Sequence, residues 1–177
     1  TATENTAIIE AKGVVTNSAY GAYLSQEASS EDGASFTAHV AKNTITSMGG
    51  AVKDAYGALA ALRVNNAGDA SATLTENAVT GTGGTFANKL YGGWAELIST
   101  KSAATAALTK NTVKLTNAKL DDTRIHTGYA VVITKAAGKT VSAAAHENVL
   151  LLKNASGTVQ ELIGGVASGT AERAGAA

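Results

Sequence analysis

The residues with the most chemical potential stand together at Asp121-Asp122-Thr123-Arg124-Ile125-His126. Two carboxylates beside an arginine and a histidine are groups that cleave or bind a sugar chain by acid–base transfer. Cooperation needs both carboxylates on one face, and adjacent residues of a strand point to opposite faces unless a bend intervenes. The matching stretches elsewhere in the chain are Val14 and Val15, Gly50 and Ala51, Thr85 and Phe86, and Gly157 and Thr158. They add no partner acid. The cluster reads as a polar edge, and the sequence points away from an enzyme.

Metal and phosphate chemistry find less support. His39, His126 and His146 fall at unrelated places, so no spacing gathers them as ligands. Glu31, Asp32 and Asp69 lie in turn-like segments, but calcium takes about six or more oxygens, usually from one recognisable loop. The run Gly81-Thr82-Gly83-Gly84 lacks the lysine of a phosphate loop. No metal or cofactor is expected. Tyr20, Tyr56, Tyr91 and Trp94 are the candidate binding aromatics, since exposed rings hold glycans or a partner protein. The competing reading, which the sequence favours, is that stacked rings fill the coil near a glycine bend.

Those residues need a scaffold, and the scaffold is a repeat. An asparagine follows a charged residue at Glu4-Asn5, Lys42-Asn43, Glu76-Asn77, Lys110-Asn111 and Glu147-Asn148, with asparagine steps of 38, 34, 34 and 37. A glycine recurs at Gly21, Gly57, Gly92, Gly128 and Gly164, with steps of 36, 35, 36 and 36. Two anchors with one period predict an all-β solenoid of about five coils of roughly 36 residues. Residues 1–170 form the single repeat domain, and 171–177 read as a tail or linker.

Alternation around the asparagine, as in Lys42-Asn43-Thr44-Ile45-Thr46, marks strand with one buried face. Each repeat reads as two strand-like halves, one centred on the asparagine and one on the glycine. Both residue types tolerate left-handed backbone angles, so both are expected at coil bends. The asparagines are expected to stack as a hydrogen-bonded ladder. With one repeat per coil, Glu4, Lys42, Glu76, Lys110 and Glu147 form a ladder of alternating charge, neighbours about 4.8 Å apart. Two shorter coils per repeat are the alternative, which the unlike halves disfavour.

Composition agrees with thin stacked layers. Charged residues make up 16% and aromatics 5%, and proline, which cannot donate to a ladder, is absent. The 14 basic and 14 acidic residues cancel, which argues against nucleic acid as a partner. The longest apolar runs, Tyr129 to Ile133 and Val149 to Leu152, are too short to insert in a membrane as a helix. Without cysteine, disulfides are excluded.

Tyr91-Gly92-Gly93, Tyr56-Gly57-Ala58 and Tyr20-Gly21-Ala22, with Asn77-Ala78-Val79-Thr80, resemble the repeat region of bacterial autotransporter adhesin passenger domains. That resemblance implies a right-handed parallel β-helix stalk at the bacterial cell surface. It implies a non-enzymatic extracellular module for adhesion or display, with a host or neighbouring-cell surface protein or glycan as partner. The fourth and fifth repeats depart from the pattern, with Arg124-Ile125-His126-Thr127-Gly128-Tyr129 and Leu162-Ile163-Gly164-Gly165. A self-assembling fibre of copies stacked head to tail is the alternative, because neither end shows a guarding proline or charged helix. A polysaccharide-active enzyme built on Asp121, Asp122 and Arg124 ranks third.

Overall fold

The protein, seen in a computed structural model, is a β-solenoid, and the structure describes residues 1–28, 33, 35–65, 68–136 and 138–171. Each of the first four coils contributes three strands, and the fifth contributes four. The first coil holds β1 (Ala2–Thr3), β2 (Thr6–Ile9) and β3 (Val14–Ala28). The second holds β4 (Phe36–Ala41), β5 (Thr44–Ser47) and β6 (Ala51–Val64); the third holds β7 (Ala70–Thr75), β8 (Ala78–Thr82) and β9 (Thr85–Ser99). The fourth holds β10 (Ala104–Thr109), β11 (Thr112–Thr116) and β12 (Lys119–Thr134). In the fifth, β13 (Val141–His146) and β14 (Val149–Lys153) precede a divided long side, β15 (Ser156–Ile163) and β16 (Val166–Ala171).

Like strands stack into three parallel sheets, β1-β4-β7-β10-β13, β2-β5-β8-β11-β14 and β3-β6-β9-β12-β15, with β16 also on β12. One repeat is therefore one coil. The two-half reading of the repeat is corrected to three sides, two short and one long. The asparagine sits at the corner between the two short sides, outside either strand.

That corner turns in the left-handed region, but through the charged residue and not the asparagine. Glu4, Lys42, Glu76, Lys110 and Glu147 have φ of 59°, 57°, 57°, 58° and 52°. The repeated glycines Gly21, Gly57, Gly92 and Gly164 are not among the positive-φ residues, so their role is not a left-handed bend. For Gly21, Gly57 and Gly92 it is close approach. A Cβ on Gly57 would lie 2.5 Å from the carbonyl oxygen of Gly92 and 2.8 Å from the backbone nitrogen of Ala78. The long side dents inward at this glycine until it meets the asparagine corner.

The dent divides the core into two lobes. On one side, Ala58, Ala60, Leu62 and Val64 of β6 pack with Val40, Leu74 and Leu108 of the first sheet. On the other, Val52 and Ala55 pack with Ile45, Val79, Val113, Phe86 and Leu90. Each fully buried side chain of leucine or valine size contributes about 1.5–3 kcal/mol. Alanines supply much of the first lobe, among them Ala38, Ala60, Ala72, Ala95 and Ala106. The strict two-residue alternation fails at the dent: Gly57 and Ala58 both face in, so Tyr56 and Leu59 are the outward residues on either side of it.

Candidate functional site: an asparagine wedge and the aromatic crease behind it

The wedge is built from one residue type. Asn5 Nδ2 donates to Asn43 Oδ1 at 2.7 Å, Asn43 to Asn77 at 2.9 Å, Asn77 to Asn111 at 3.0 Å, and Asn111 to Asn148 at 3.1 Å. The backbone N–H of each lower asparagine donates to the same Oδ1. The amide also donates backwards, to the carbonyl oxygens of Ala2, Val40, Leu74 and Leu108 in turn. Asn43, Asn77 and Asn111 are fully buried. A buried amide is tolerable only when satisfied, and here each meets its partners in the adjoining coils.

Outside the same dent the wall is concave, and aromatic rings fill it. Tyr20 stacks on Tyr56 at 5.1 Å and Tyr56 on Tyr91 at 5.4 Å, with interplanar angles of 12° and 4°. The other flank of the crease carries Tyr23, Leu59, Trp94 and Tyr129, which pair in register. The two flanks meet across the dent, Tyr20 against Tyr23 at 5.1 Å, Tyr91 against Trp94 at 4.8 Å, and His126 against Tyr129 at 5.3 Å. All five tyrosines and the one tryptophan of the chain lie on this outer wall. Stacked rings near the glycine are thus observed, but outside the coil and not filling it.

Within the crease the candidate aromatics separate. Tyr56 and Tyr91 are 5% and 4% exposed, since neighbouring rings cover their faces. Tyr20 at 38% and Tyr23 at 54% stand open, and Trp94 is half-buried with Lys89 Nζ 5.6 Å from its ring. Burial pushes the Tyr91 hydroxyl up from 10.0 to about 12, helped by Tyr129 and Glu161 and opposed by Arg124. Tyr56 is raised further, by burial first and then by Asp54. Sequence reasoning missed Tyr23, Leu59 and Tyr129. Their signal was the residue three after each crease aromatic.

The fourth coil corrects two columns. His126 pairs with Tyr91 and Gly128 with Gly93, so His126 takes the tyrosine place and Thr127 the glycine place. Gly128 is therefore not the fourth coil-bend glycine. A Cβ there would meet the side-chain amide of Asn148 at 2.7 Å. Thr127, fully buried, donates its hydroxyl to the Gly164 carbonyl. His126 is 3% exposed and its Nε2 lies 3.0 Å from Glu161 Oε2, outside hydrogen-bond geometry.

The acidic cluster is also re-aligned. Asp121 pairs with Ala87, and Leu120 with Phe86. Asp122 adopts φ 52° in a bulge, so the bend that lets neighbouring aspartates share the outside is present, and both are exposed. Asp122 is then tied across the coils. Its N–H donates to Thr158 Oγ1 at 2.8 Å, Gln160 Nε2 donates to its carboxylate, and Arg124 Nε donates to Gln160 Oε1 at 2.7 Å. Arg124 stands in a column with Asp54, Lys89 and Glu161 along the edge of the crease.

At the corner, Lys42 Nζ lies 3.8 Å from Glu4 and Lys110 Nζ 3.7 Å from Glu147, both pairs exposed. Glu76 makes no ion pair among the described residues. His39 and His146 are exposed and far from His126 in register. No group of three His, Cys, Asp or Glu residues suits a metal ion among the described residues, and Glu31 and Asp32 lie outside them. No helix among the described residues is long and apolar enough to cross a membrane. No family model matches the chain, and neither a curated protein nor a solved structure matches it.

Proposed function

We propose that this chain is a non-enzymatic structural and adhesive module of a bacterial surface protein, a β-helix stalk acting outside the cell. The observation that carries the reading is the distribution of side chains. The interior is spent on apolar columns and an amide ladder, while every tyrosine and the tryptophan stand on one outer wall beside the Asp54, Lys89, Arg124 and Glu161 column. Amphipathic rings with charged neighbours are the usual anchors of a recognition surface. Of the two neighbouring acids, Asp122 has its carboxylate engaged by Gln160.

The partner in this reading is a host or neighbouring-cell surface protein or glycan, and it meets the exposed rings Tyr20 and Tyr23 and the outer edge of half-buried Trp94. Binding of the pure chain to cells and to arrayed glycans tests the proposal. Tyr23→Ala combined with Tyr20→Ala, both open rings, should lower binding about tenfold or more while leaving the molecule folded, read by thermal unfolding. Retained binding in that double variant would reject the crease as the contact, and release of reducing ends from acidic polysaccharides would reject the non-enzymatic reading.

A further inference from the structure

The two charged columns of the rod obey different rules. At the asparagine corner the sign alternates from coil to coil, so each lysine has a glutamate beside it. Along the crease the column reads Ser18, Asp54, Lys89, Arg124 and Glu161. Lys89 and Arg124 are register partners on neighbouring strands, about 4.8 Å apart, and like charges placed so repel. The acids on either side are turned to other partners. Asp54 Oδ1 accepts from Asn88 Nδ2 at 2.8 Å and from the Lys89 N–H at 3.2 Å, and its Oδ2 accepts from Ser18 Oγ at 3.4 Å. Glu161 Oε2 lies 3.0 Å from His126 Nε2. Among the described residues neither Lys89 nor Arg124 makes an ion pair. Arg124 donates its Nε–H to Gln160, and its two terminal nitrogens hold no hydrogen bond among those residues.

Both cations share the outer face with the aromatics. They stand two residues before Tyr91 and His126, with buried Leu90 and Ile125 between. The half-buried Lys89 leans across the crease until its Nζ is 5.6 Å from the Trp94 ring, and on that far flank Trp94 and Tyr129 lie 5.2 Å apart. A cation pair beside ring faces offers two kinds of contact. The arginine fork supplies parallel donors to a planar anion, and the lysine supplies a point charge. The rings supply an apolar face with a polar edge, which matches a sugar ring and its hydroxyls.

We propose that the crease binds an acidic glycan, a sugar chain bearing carboxylate or sulfate groups, with the anion held between Lys89 and Arg124 and a sugar ring against Trp94 and Tyr129. Acidic-glycan binding rests on the adhesive reading of the crease and narrows its partner. The residues that hold the ligand lie in the third and fourth coils. The crease runs along the stack from coil to coil, which suits a linear polymer. Asp121 and Asp122 stand three and two residues before Arg124, across the bulge. Asp122 is held by Gln160, which leaves the exposed Asp121 as the opposing charge. The bound anion relieves the repulsion between Lys89 and Arg124, so affinity falls as salt screens the pair.

Binding of the pure 177-residue chain to immobilised polygalacturonate, dextran sulfate and uncharged dextran tests this. One or both acidic polymers should bind, more weakly as salt rises, and dextran should not. Binding to polygalacturonate alone assigns the anion as carboxylate, and to dextran sulfate alone as sulfate. Lys89→Gln combined with Arg124→Gln should weaken binding about tenfold or more, with circular dichroism showing the parent fold. Lys114→Gln, an exposed lysine of β11 on another side of the coil, should change it less than about twofold. No binding to either acidic polymer, equal binding to dextran, or equal losses in the double variant and Lys114→Gln would overturn the inference. In that event cell binding that is still lost in Tyr20→Ala with Tyr23→Ala leaves the adhesive reading standing. Binding to acidic polymers without binding to cells fails the adhesive reading and upholds this site.

Discussion

The two faces of the dented wall solve one problem with opposite chemistry. Inside, five coils use the same residue, asparagine, and the same three bonds at each joint. Outside, the crease accepts Tyr, Tyr, Tyr, His and Ile on one flank and Tyr, Leu, Trp, Tyr and Val on the other. Hydrogen bonds are directional, and a buried donor without its acceptor is costly, so the inner column admits no substitute. The outer groove asks for apolar volume, which several side chains supply. Uniformity in a repeat column thus reports direction-dependent bonding, and variability reports packing.

The comparison breaks most visibly at Asn77. Asn77→Ala strips the acceptor from both Asn43 N–H and Asn43 Nδ2. Two buried donors at about 1–3 kcal/mol each give an expected loss of about 2–6 kcal/mol, read by denaturant unfolding. Asn5→Ala, at the exposed end, should cost under about 1 kcal/mol. A loss at Asn77 no larger than at Asn5 would show that the ladder is decoration.

Gly57 is where the two faces touch. Gly57→Ala forces a methyl against the Gly92 carbonyl and should cost about 1–3 kcal/mol, whereas Gly164→Ala, with open space around it, should cost under about 0.5 kcal/mol. Equal melting temperatures for the two variants would contradict the close approach.

The outer face has its own signature in alkali. Folded Tyr91 holds its proton up to about 12 against 10.0 for an ordinary tyrosine, because burial penalises the phenolate. The raised value means the associated stability is whole below pH 10, and is lost as pH rises through about 12. Melting temperature should fall across that window in step with tyrosinate absorbance. Tyr91→Phe should flatten the fall while changing neutral-pH stability by less than about 1 kcal/mol. The smallest effect belongs to the corner charges: Lys110→Glu should cost about 0.2–1 kcal/mol at low salt and vanish in high salt.

Much of this was legible beforehand where a column was uniform. The asparagine steps of 38, 34, 34 and 37 are the separations across which the amides bond. The alternating charges predicted neighbours, and two of the pairs lie within ion-pair distance. Legibility failed where alternation breaks. The bulge at Asp122 and the double inward turn at Gly57 and Ala58 each shift the inside–outside count by one residue. After such a shift, spacing alone does not say which face a residue takes. That is why the fourth coil was aligned on Gly128 in place of Thr127, and why Tyr23, Leu59 and Tyr129 escaped notice.

The sequence by itself determined the period, the number of coils and the identity of the buried amide column, because those follow from residue types recurring at one interval. Only the tertiary structure decided that the coil has three sides, that the charged residue and not the asparagine turns the corner, and that the aromatics lie outside. Those depend on backbone angles and on how closely two walls approach, and neither quantity is written in the order of side chains.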